Sequence, residues 1–385
     1  MRHDDPIAIL DRLVAFDTVS RNSNLALIDW VADRLRAQGV EPVVLPSPDG
    51  AKANLFATIG PAGDGGVVLS GHTDVVPVDG QTWSSDPFVL TERDGAYYGR
   101  GTADMKGFVA LALAMVPELR ARDLARPVHL AFSYDEEVGC VGVHGLIAAL
   151  GAHLPRPEIV VVGEPTSLLP ANSHKGCYYY ETIATGRDAH SSAPHLGTNA
   201  ISPLLKVAGF IEELAGDAAA AGDPATGFAP PCDTFNLALI SGGQAPNIVP
   251  NRASLVWDQR PLPGHDPDAA LNAVNRFVET EILPTLTAHC PDASVITRNT
   301  AAVPALEPDP DGPAETLARA LTGANASRTV AFGTEAGLFQ QAGLSAVILG
   351  PGDIAVAHKP DEYITRAQMD GGLALLYRLA DWATA

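Results

Sequence analysis

The chain has 385 residues, of which 45 are acidic and 25 are basic, so its formal net charge is −20. Apolar residues make up 46% and charged residues 18%, which is typical of a folded globular protein rather than a disordered one. The length predicts two or three domains with a large core. Because nucleic acids and anionic membranes repel a protein of this charge, neither is an expected partner.

The first part of the chain alternates between helical and strand-like patterns. Amphipathic helices are predicted at 5–16 and 25–38, and a further helix at about 105–120. Short apolar runs predict strands at 54–59, 67–70, 128–133 and 158–162. Strands that are separated by helices in this way favour an α/β fold with a mostly parallel sheet, covered on both faces.

A different pattern fills the middle of the chain. Strands are predicted at 178–185, 235–240, 253–259 and 294–298, with helices at 199–214 and 268–282 and a loop at 215–231. The resulting order, β-α-β-β-α-β, is that of a ferredoxin-like α+β domain.

This middle pattern predicts an inserted domain at 178–302. The larger domain is then discontinuous, with a first part at 1–177 and a second part at 303–385. Strands at 329–332 and 346–349 are expected to return to the first sheet, and a helix near 363–383 ends the chain.

The cysteines and the N-terminus indicate the compartment. Four cysteines are scattered without a C-x-x-C pair, and a large core needs no disulfide, so we expect reduced thiols and a cytoplasmic protein. Asp11 and Arg12 interrupt the apolar residues that a signal peptide would need. No run of 18 or more apolar residues occurs, so no membrane span is predicted.

Polar residues follow several of the predicted strands directly, and one lies in a glycine-rich turn before a helix. Because residues just past the strands of an open parallel sheet share one edge, we expect these side chains to converge. Five of them are candidate metal ligands: His72, Asp104, Glu137, Glu164 and His358. Two imidazoles and three carboxylates form a set of nitrogen and oxygen donors. This set suits zinc, cobalt or manganese better than a cluster of thiolate ligands would.

The charge of this set favours two metal ions rather than one. Three carboxylates in one place repel each other unless cations lie between them. Two divalent cations use all five ligands if one carboxylate bridges and each metal also binds one carboxylate and one histidine. Glu136 and Glu137 are adjacent and point in different directions, so one can bind a metal while the other acts as general base and later as acid for the leaving amine.

Each of these residues also has an ordinary explanation. A histidine after a strand, or a Glu-Glu pair, is more often a solvated loop residue than part of a site. Asp104 could cap the following helix, and Glu164 could mark a loop boundary. The placement of all of them after strands is what favours a metal site.

Four sequence runs carry a resemblance to a known family: SGHTDVVP at 70–77, GRGTADMKG at 99–107, DEE at 135–137 and GEPT at 163–166. In this order they resemble the co-catalytic di-zinc peptidase and deacylase family over nearly the whole chain. The resemblance implies two divalent metal ions, with His72 and Glu164 on one, Glu137 and His358 on the other, and Asp104 bridging. It also implies that Glu136 is the general base and that Asp74 holds the ligand histidine from behind.

The same resemblance implies that the inserted domain is a lid that also forms a homodimer. His190, in the run GRDAHSS at 186–192, matches the histidine that reaches the site of the partner subunit. Asn247 and Arg260 match substrate-binding positions, and a guanidinium suits a substrate carboxylate through two parallel hydrogen bonds. Glu335 could receive the cationic amine of the substrate, or it could have a structural role.

The activity that the resemblance implies is hydrolysis of the amide of a small N-acyl amino acid. The runs LGPG at 349–352 and AHKPDEY at 357–363 favour N2-acetyl-ornithine. Succinyl-diaminopimelate and other N-acyl amino acids are alternatives. A binding protein without catalysis on the same scaffold is disfavoured, because Glu136 and all five ligands are present. His174 and Cys177 have no role that the resemblance explains.

Overall fold

The computed structural model describes residues 3–385. Its helices are α1 (Pro6–Val14), α2 (Leu25–Ala37), α3 (Gly107–Ala114), α4 (Val116–Ala121), α5 (Val143–Ala149), α6 (Ile201–Ala220), α7 (Ala269–Phe277), α8 (Leu283–His289), α9 (Pro313–Thr322), α10 (Ala336–Gln341) and α11 (Arg366–Thr384). Its strands are β1 (Val43–Pro46), β2 (Ala53–Ile59), β3 (Val67–His72), β4 (Thr91–Arg93), β5 (Ala96–Tyr98), β6 (Val128–Ser133), β7 (Ile159–Pro165), β8 (Ala171–His174), β9 (Cys177–Thr185), β10 (Thr234–Gly242), β11 (Arg252–Arg260), β12 (Ser294–Val303), β13 (Arg328–Val330), β14 (Ser345–Gly350) and β15 (Tyr363–Thr365). Among these described residues, no helix is long and apolar enough to cross a membrane.

The chain divides into two compact units. Unit 2 consists of His174–Ala305 and Val330–Gly333. Unit 1 contains the other described residues, including the segment between these two pieces. The predicted insertion at 178–302 lies inside unit 2, which begins four residues earlier and ends three residues later. Residues 330–333 join unit 2 because they pack on it: a Cβ atom at Gly333 would lie 3.2 Å from the Cβ of Cys177.

Unit 1 is built on an eight-stranded sheet in the order β1-β2-β6-β3-β7-β14-β8-β13. The four central strands, β6, β3, β7 and β14, are parallel, whereas β1, β2 and β8 pair antiparallel with their neighbours. The strands β3, β6 and β7 are buried at every residue, as in a sheet that is covered on both faces. The predicted α/β fold is confirmed.

Helix α3 is buried at every position, and α1 and α11 pack against it. Because α3 is apolar all round, it is a core helix rather than a surface helix. It follows the turn Thr102–Lys106, so the core of unit 1 fixes where this turn lies.

Unit 2 contains the antiparallel sheet β10-β11-β9-β12, and its elements follow the order that the sequence predicts for a ferredoxin-like domain. Tyr180 on β9 stacks on Trp257 on β11, with ring centroids 4.3 Å apart. Leu204, Val207 and Ile211 of α6 pack into the same core. The aromatic and aliphatic side chains on one face of the sheet therefore hold the helices of unit 2 on it.

Three of the predicted elements that differ from the structure do so for a clear physical reason. The predicted helix at 363–383 begins only at Arg366, because residues 363–365 form β15 and Thr365 caps the helix by a capping box with Gln368. Helix α6 continues to Ala220, into the predicted loop, because alanine is the strongest helix former. The predicted helix at 105–120 is divided at Met115, since Pro117 cannot donate a backbone hydrogen bond.

Gly163 provides a test of how closely α3 packs on the central sheet. A Cβ atom at Gly163 on β7 would lie 2.1 Å from the buried ring of Phe108 on α3. We expect Gly163→Ala to lower the free energy of unfolding by about 1–3 kcal/mol, because a packed ring cannot move aside without strain. The midpoint of thermal unfolding, measured by calorimetry, should fall accordingly.

The matched control is Gly145→Ala in α5, also in unit 1. There the added Cβ would meet only Asn54 Nδ2, at 3.8 Å, and alanine favours a helix over glycine. The midpoint of this variant should stay unchanged or rise. Equal midpoints of thermal unfolding for the two variants would show that α3 does not pack as closely on β7 as described.

Candidate metal centre

The candidate ligands lie where the central strands of unit 1 end. His72 is the last residue of β3, and Glu164 lies near the end of β7. Glu137 follows β6 by four residues, and Asp104 lies in the turn that precedes α3. His358 lies in the segment between β14 and β15. The parallel strands therefore deliver these side chains to one edge of the sheet.

The distances show that all five predicted ligands come together. His72 Nε2 lies 3.0 Å from Asp104 Oδ1 and 3.8 Å from Glu164 Oε1. His358 Nε2 lies 3.2 Å from Asp104 Oδ2 and 3.1 Å from Glu137 Oε2. The two carboxylate oxygens of Asp104 thus face different imidazoles, which is the arrangement that a bridging carboxylate requires.

Glu136 belongs to the same cluster. One ligand-type atom from each of His72, Glu136 and Glu164 lies within 4.8 Å of the others, and the same holds for His72, Asp104 and Glu137. The thiol of Cys140 donates to Glu136 Oε1 at 3.3 Å. Position alone allows Glu136 to act as a ligand or as a base, so its role as base stays a prediction.

The electrostatics of the cluster favour cations. Burial raises the pKa of Glu136 and of Glu164, and burial together with the charge of Asp104 raises the pKa of Glu137 to about 7. In residues 3–385, no lysine or arginine forms an ion pair with Asp104, Glu137 or Glu164. This excess of buried carboxylates fits two divalent metal ions, whose charge would stabilise the ionised forms.

Asp74 organises the cluster through both its main chain and its side chain. Its backbone carbonyl accepts a hydrogen bond from His72 Nδ1 at 2.9 Å, whereas its carboxylate lies 3.6 Å from that nitrogen. The carboxylate instead accepts from the backbone N–H groups of Glu136 (3.1 Å) and Glu137 (3.3 Å) and from Ser20 Oγ (2.7 Å). A proton on His72 Nδ1 leaves Nε2 free to bind a metal.

Glu335 lies in unit 1, buried beneath the cluster. Ser133 Oγ on β6 donates to one of its carboxylate oxygens, and Ser70 Oγ on β3 lies 3.4 Å from the other. Burial raises the pKa of Glu335 to about 7. These contacts account for both carboxylate oxygens, and contact with a substrate stays a prediction.

The remaining predicted site residues lie in unit 2. His190 is exposed and its Nδ1 lies 2.7 Å from Ser192 Oγ. The neighbouring Ser191 N–H donates to the backbone carbonyl of Asn247 at 2.9 Å, so the segments of His190 and Asn247 are adjacent. Arg260 is half-buried and donates to the hydroxyl of Tyr179 at 3.1 Å. Their roles toward a substrate stay predictions.

Sequence reasoning missed the residues that support the cluster. Ser20 lies between α1 and α2, where no motif marks it. Cys140 lies four residues after Glu136, in a turn that the N–H groups of Gly139 and Cys140 close on the Glu136 carbonyl. Gly139, two residues after the Glu-Glu pair, was the signal in the sequence that could have predicted this turn.

Comparison with known proteins now defines the class. The profile of peptidase family M20/M25/M40 matches residues 68–382, and the chain belongs to this family. The protein is accordingly a metal-dependent amidohydrolase. The chain is 37% identical to an acetylornithine deacetylase of Myxococcus xanthus, over 93% of this chain and 92% of the relative. It is 35% identical to an acetylornithine deacetylase of Pasteurella multocida, over 93% of this chain and 91% of that one.

Solved structures share the fold. An M20 family metallo-carboxypeptidase from Sulfolobus solfataricus aligns with a TM-score of 0.76 and 18% identity, over 99% of both chains. A dinuclear metal-binding peptidase of the M20 family from Bacillus subtilis aligns with a TM-score of 0.66 and 15% identity, over 97% of this chain and 96% of that one. At these identities the likeness shows the fold alone.

Replacing Glu136 separates the role of base from that of ligand. We expect Glu136→Ala to keep its metal ions and to lose hydrolytic activity by roughly a hundredfold to ten-thousandfold, because only proton transfer is removed. Glu164→Ala is the matched control from the same cluster, and it should lose metal. Metal content after dialysis, measured by plasma emission spectroscopy, checks both. A metal-free Glu136→Ala protein would contradict this assignment.

Proposed function

We propose that the protein hydrolyses the amide of N2-acetyl-ornithine to ornithine and acetate, a reaction of arginine biosynthesis. The observation that carries the proposal is the cluster in which Asp104 joins His72 to His358 with Glu136 beside it. The two acetylornithine deacetylases, which align with almost the whole chain, support the choice of substrate.

The five clustered residues would hold two divalent metal ions. His72 and Glu164 would bind one, Glu137 and His358 the other, and Asp104 both. Zinc fits these nitrogen and oxygen donors best, and cobalt and manganese fit the same set. When bound, such ions polarise a carbonyl group and lower the pKa of water toward neutrality.

Glu136 would move the proton in this reaction. It would accept a proton from the attacking water and then deliver it to the departing amine of ornithine. Burial raises the pKa of Glu136 above that of an ordinary glutamate, the direction that general acid–base work by a carboxyl group requires. Cys140 donates to Glu136 Oε1 at 3.3 Å, so this contact uses one of the two carboxylate oxygens.

Residues of unit 2 would bind the substrate. The guanidinium of Arg260 suits the α-carboxylate of an N-acyl amino acid, and the side-chain amide of Asn247 offers both a donor and an acceptor. His190 of the partner subunit would stabilise the charge that develops on the acetyl oxygen. Glu335 of unit 1 would either receive the cationic side-chain amine or have a structural role, since Ser133 and Ser70 contact its two carboxylate oxygens.

A substrate panel tests the proposal. Purified protein is offered N2-acetyl-ornithine, other N-acetyl and N-formyl amino acids, and N-succinyl-diaminopimelate, each with added zinc or cobalt. We expect the highest kcat/KM for N2-acetyl-ornithine, by more than the roughly ten- to two-hundredfold that one methylene group can provide, because its amine would be recognised by a charge. A higher kcat/KM for another acyl amino acid would reassign the substrate.

Unit 2 would also form a homodimer. Its edge strand β10 exposes Leu239 (69%) and Ile240 (58%), and α6 exposes Leu205 (56%). An exposed apolar edge strand is a template for pairing, and a second copy related by two-fold symmetry offers the same edge in return. None of the four cysteines, all of which lie among the described residues, forms a disulfide, which supports the proposed cytoplasmic location.

Mixed dimers test whether each site draws on both subunits. Homodimers of Glu136→Ala and of His190→Ala should both be nearly inactive. When the two variants are refolded together, half of the dimers are mixed, and each mixed dimer has one site with both residues intact. Activity should therefore recover to roughly a quarter of the wild-type value. No recovery in a sample that contains mixed dimers by mass spectrometry would place His190 in the site of its own chain.

A further inference from the structure

Arg100 and Glu362 form an ion pair inside unit 1 that the proposed chemistry does not use. Their side chains are each about 1% exposed, and Arg100 Nη1 lies 2.7 Å from Glu362 Oε2. A buried pair gains little stability over apolar residues, because both ions lose their hydration. Its presence therefore needs another explanation.

The carboxylate of Glu362 organises the turn that carries Asp104. Its Oε2 accepts the backbone N–H of Gly101 at 3.0 Å, and its Oε1 accepts those of Ala103 at 2.9 Å and Asp104 at 3.0 Å. One side chain thus binds three amides of this turn, which lie about 260 residues away in the chain. Gly101 has a φ of +82°, which a glycine adopts without strain.

The guanidinium of Arg100 reaches the segment that carries His358. Nη1 donates to the backbone carbonyl of Lys359 at 3.2 Å, and Nη2 donates to Gln81 Oε1 at 2.6 Å. Gln81 Nε2 in turn donates to the backbone carbonyl of His358 at 2.9 Å. His358 has a φ of +62°, which is unfavourable for a non-glycine residue and needs support from its surroundings.

We propose that Arg100 and Glu362 are positioning residues of the metal centre, which hold Asp104 and His358 at the separation where both can bind the same cation. The pair links the two segments because Glu362 binds the turn of Asp104 while Arg100 binds the backbone beside His358. Supporting residues that orient metal ligands determine affinity in this way. The inference rests on the proposed metal centre but not on the identity of the substrate.

The test is a metal titration of Glu362→Gln. Glutamine has the same size as glutamate, but one of the two carboxylate oxygens is replaced by an NH₂ group. This NH₂ group is a donor, so it cannot accept a hydrogen bond from the backbone N–H groups that Glu362 binds. Metal-free protein is titrated with Co²⁺ in competition with a chromophoric chelator. We expect affinity to fall by roughly tenfold to a hundredfold. Activity of the variant should return at high cobalt concentration, since its other residues are intact.

Glu315→Gln is the matched control. Glu315 is also a buried carboxylate of unit 1, 5% exposed, and accepts from Asn172 Nδ2 and Ser327 Oγ, which are not candidate ligands. This variant should bind Co²⁺ as the wild type does. A second variant, Arg100→Lys, keeps the charge but loses the planar fork, and should weaken Co²⁺ binding if Glu362→Gln does not fold.

The possible failures are distinguishable. If both folded variants bind Co²⁺ as tightly as the wild type, even with lower thermal stability, the pair is only structural and the inference is overturned. The proposed function would then stand. A wild-type protein that binds no divalent metal would overturn the proposed function and this inference with it.

Discussion

The centre of unit 1 depends on a conflict of charge. Asp104, Glu137 and Glu164 are gathered with Glu136 where the central strands end, and burial penalises every negative charge there. The imidazoles of His72 and His358 offset only part of this charge. The surrounding structure holds the carboxylates together against their repulsion, and cations bound between them would offset that repulsion.

The elements that the sequence predicted best are the buried central strands. The central strands are short apolar runs, and their buried pattern in the structure matches the patterns that predicted them. Because parallel strands end at one edge, the side chains that follow them could be grouped as ligands from their sequence positions alone. The family resemblance then assigned them to two metals. Short strands such as β4 and β8 are rich in polar residues, so no apolar run predicted them. They are strands because they pair with neighbouring strands.

What the sequence could not predict is the support behind the ligands. The resemblance implies that Asp74 holds His72 through its carboxylate, but the backbone carbonyl makes the closer contact and the carboxylate binds the amides after β6. Glu362 and the turn of Asp104 are about 260 residues apart, so no local pattern connects them. The same limit applies to residues 330–333, whose place in unit 2 depends on packing against Cys177 rather than on their own composition.

The discontinuity of unit 1 has a consequence for synthesis on the ribosome. Almost all of unit 2 emerges before β14, which must pair with β7 to complete the parallel core of the large sheet. The nascent chain therefore passes through a stage in which unit 2 can fold while one edge of β7 waits unpaired. Exposed strand edges invite wrong pairing, and this stage lasts until residue 350 has left the exit tunnel.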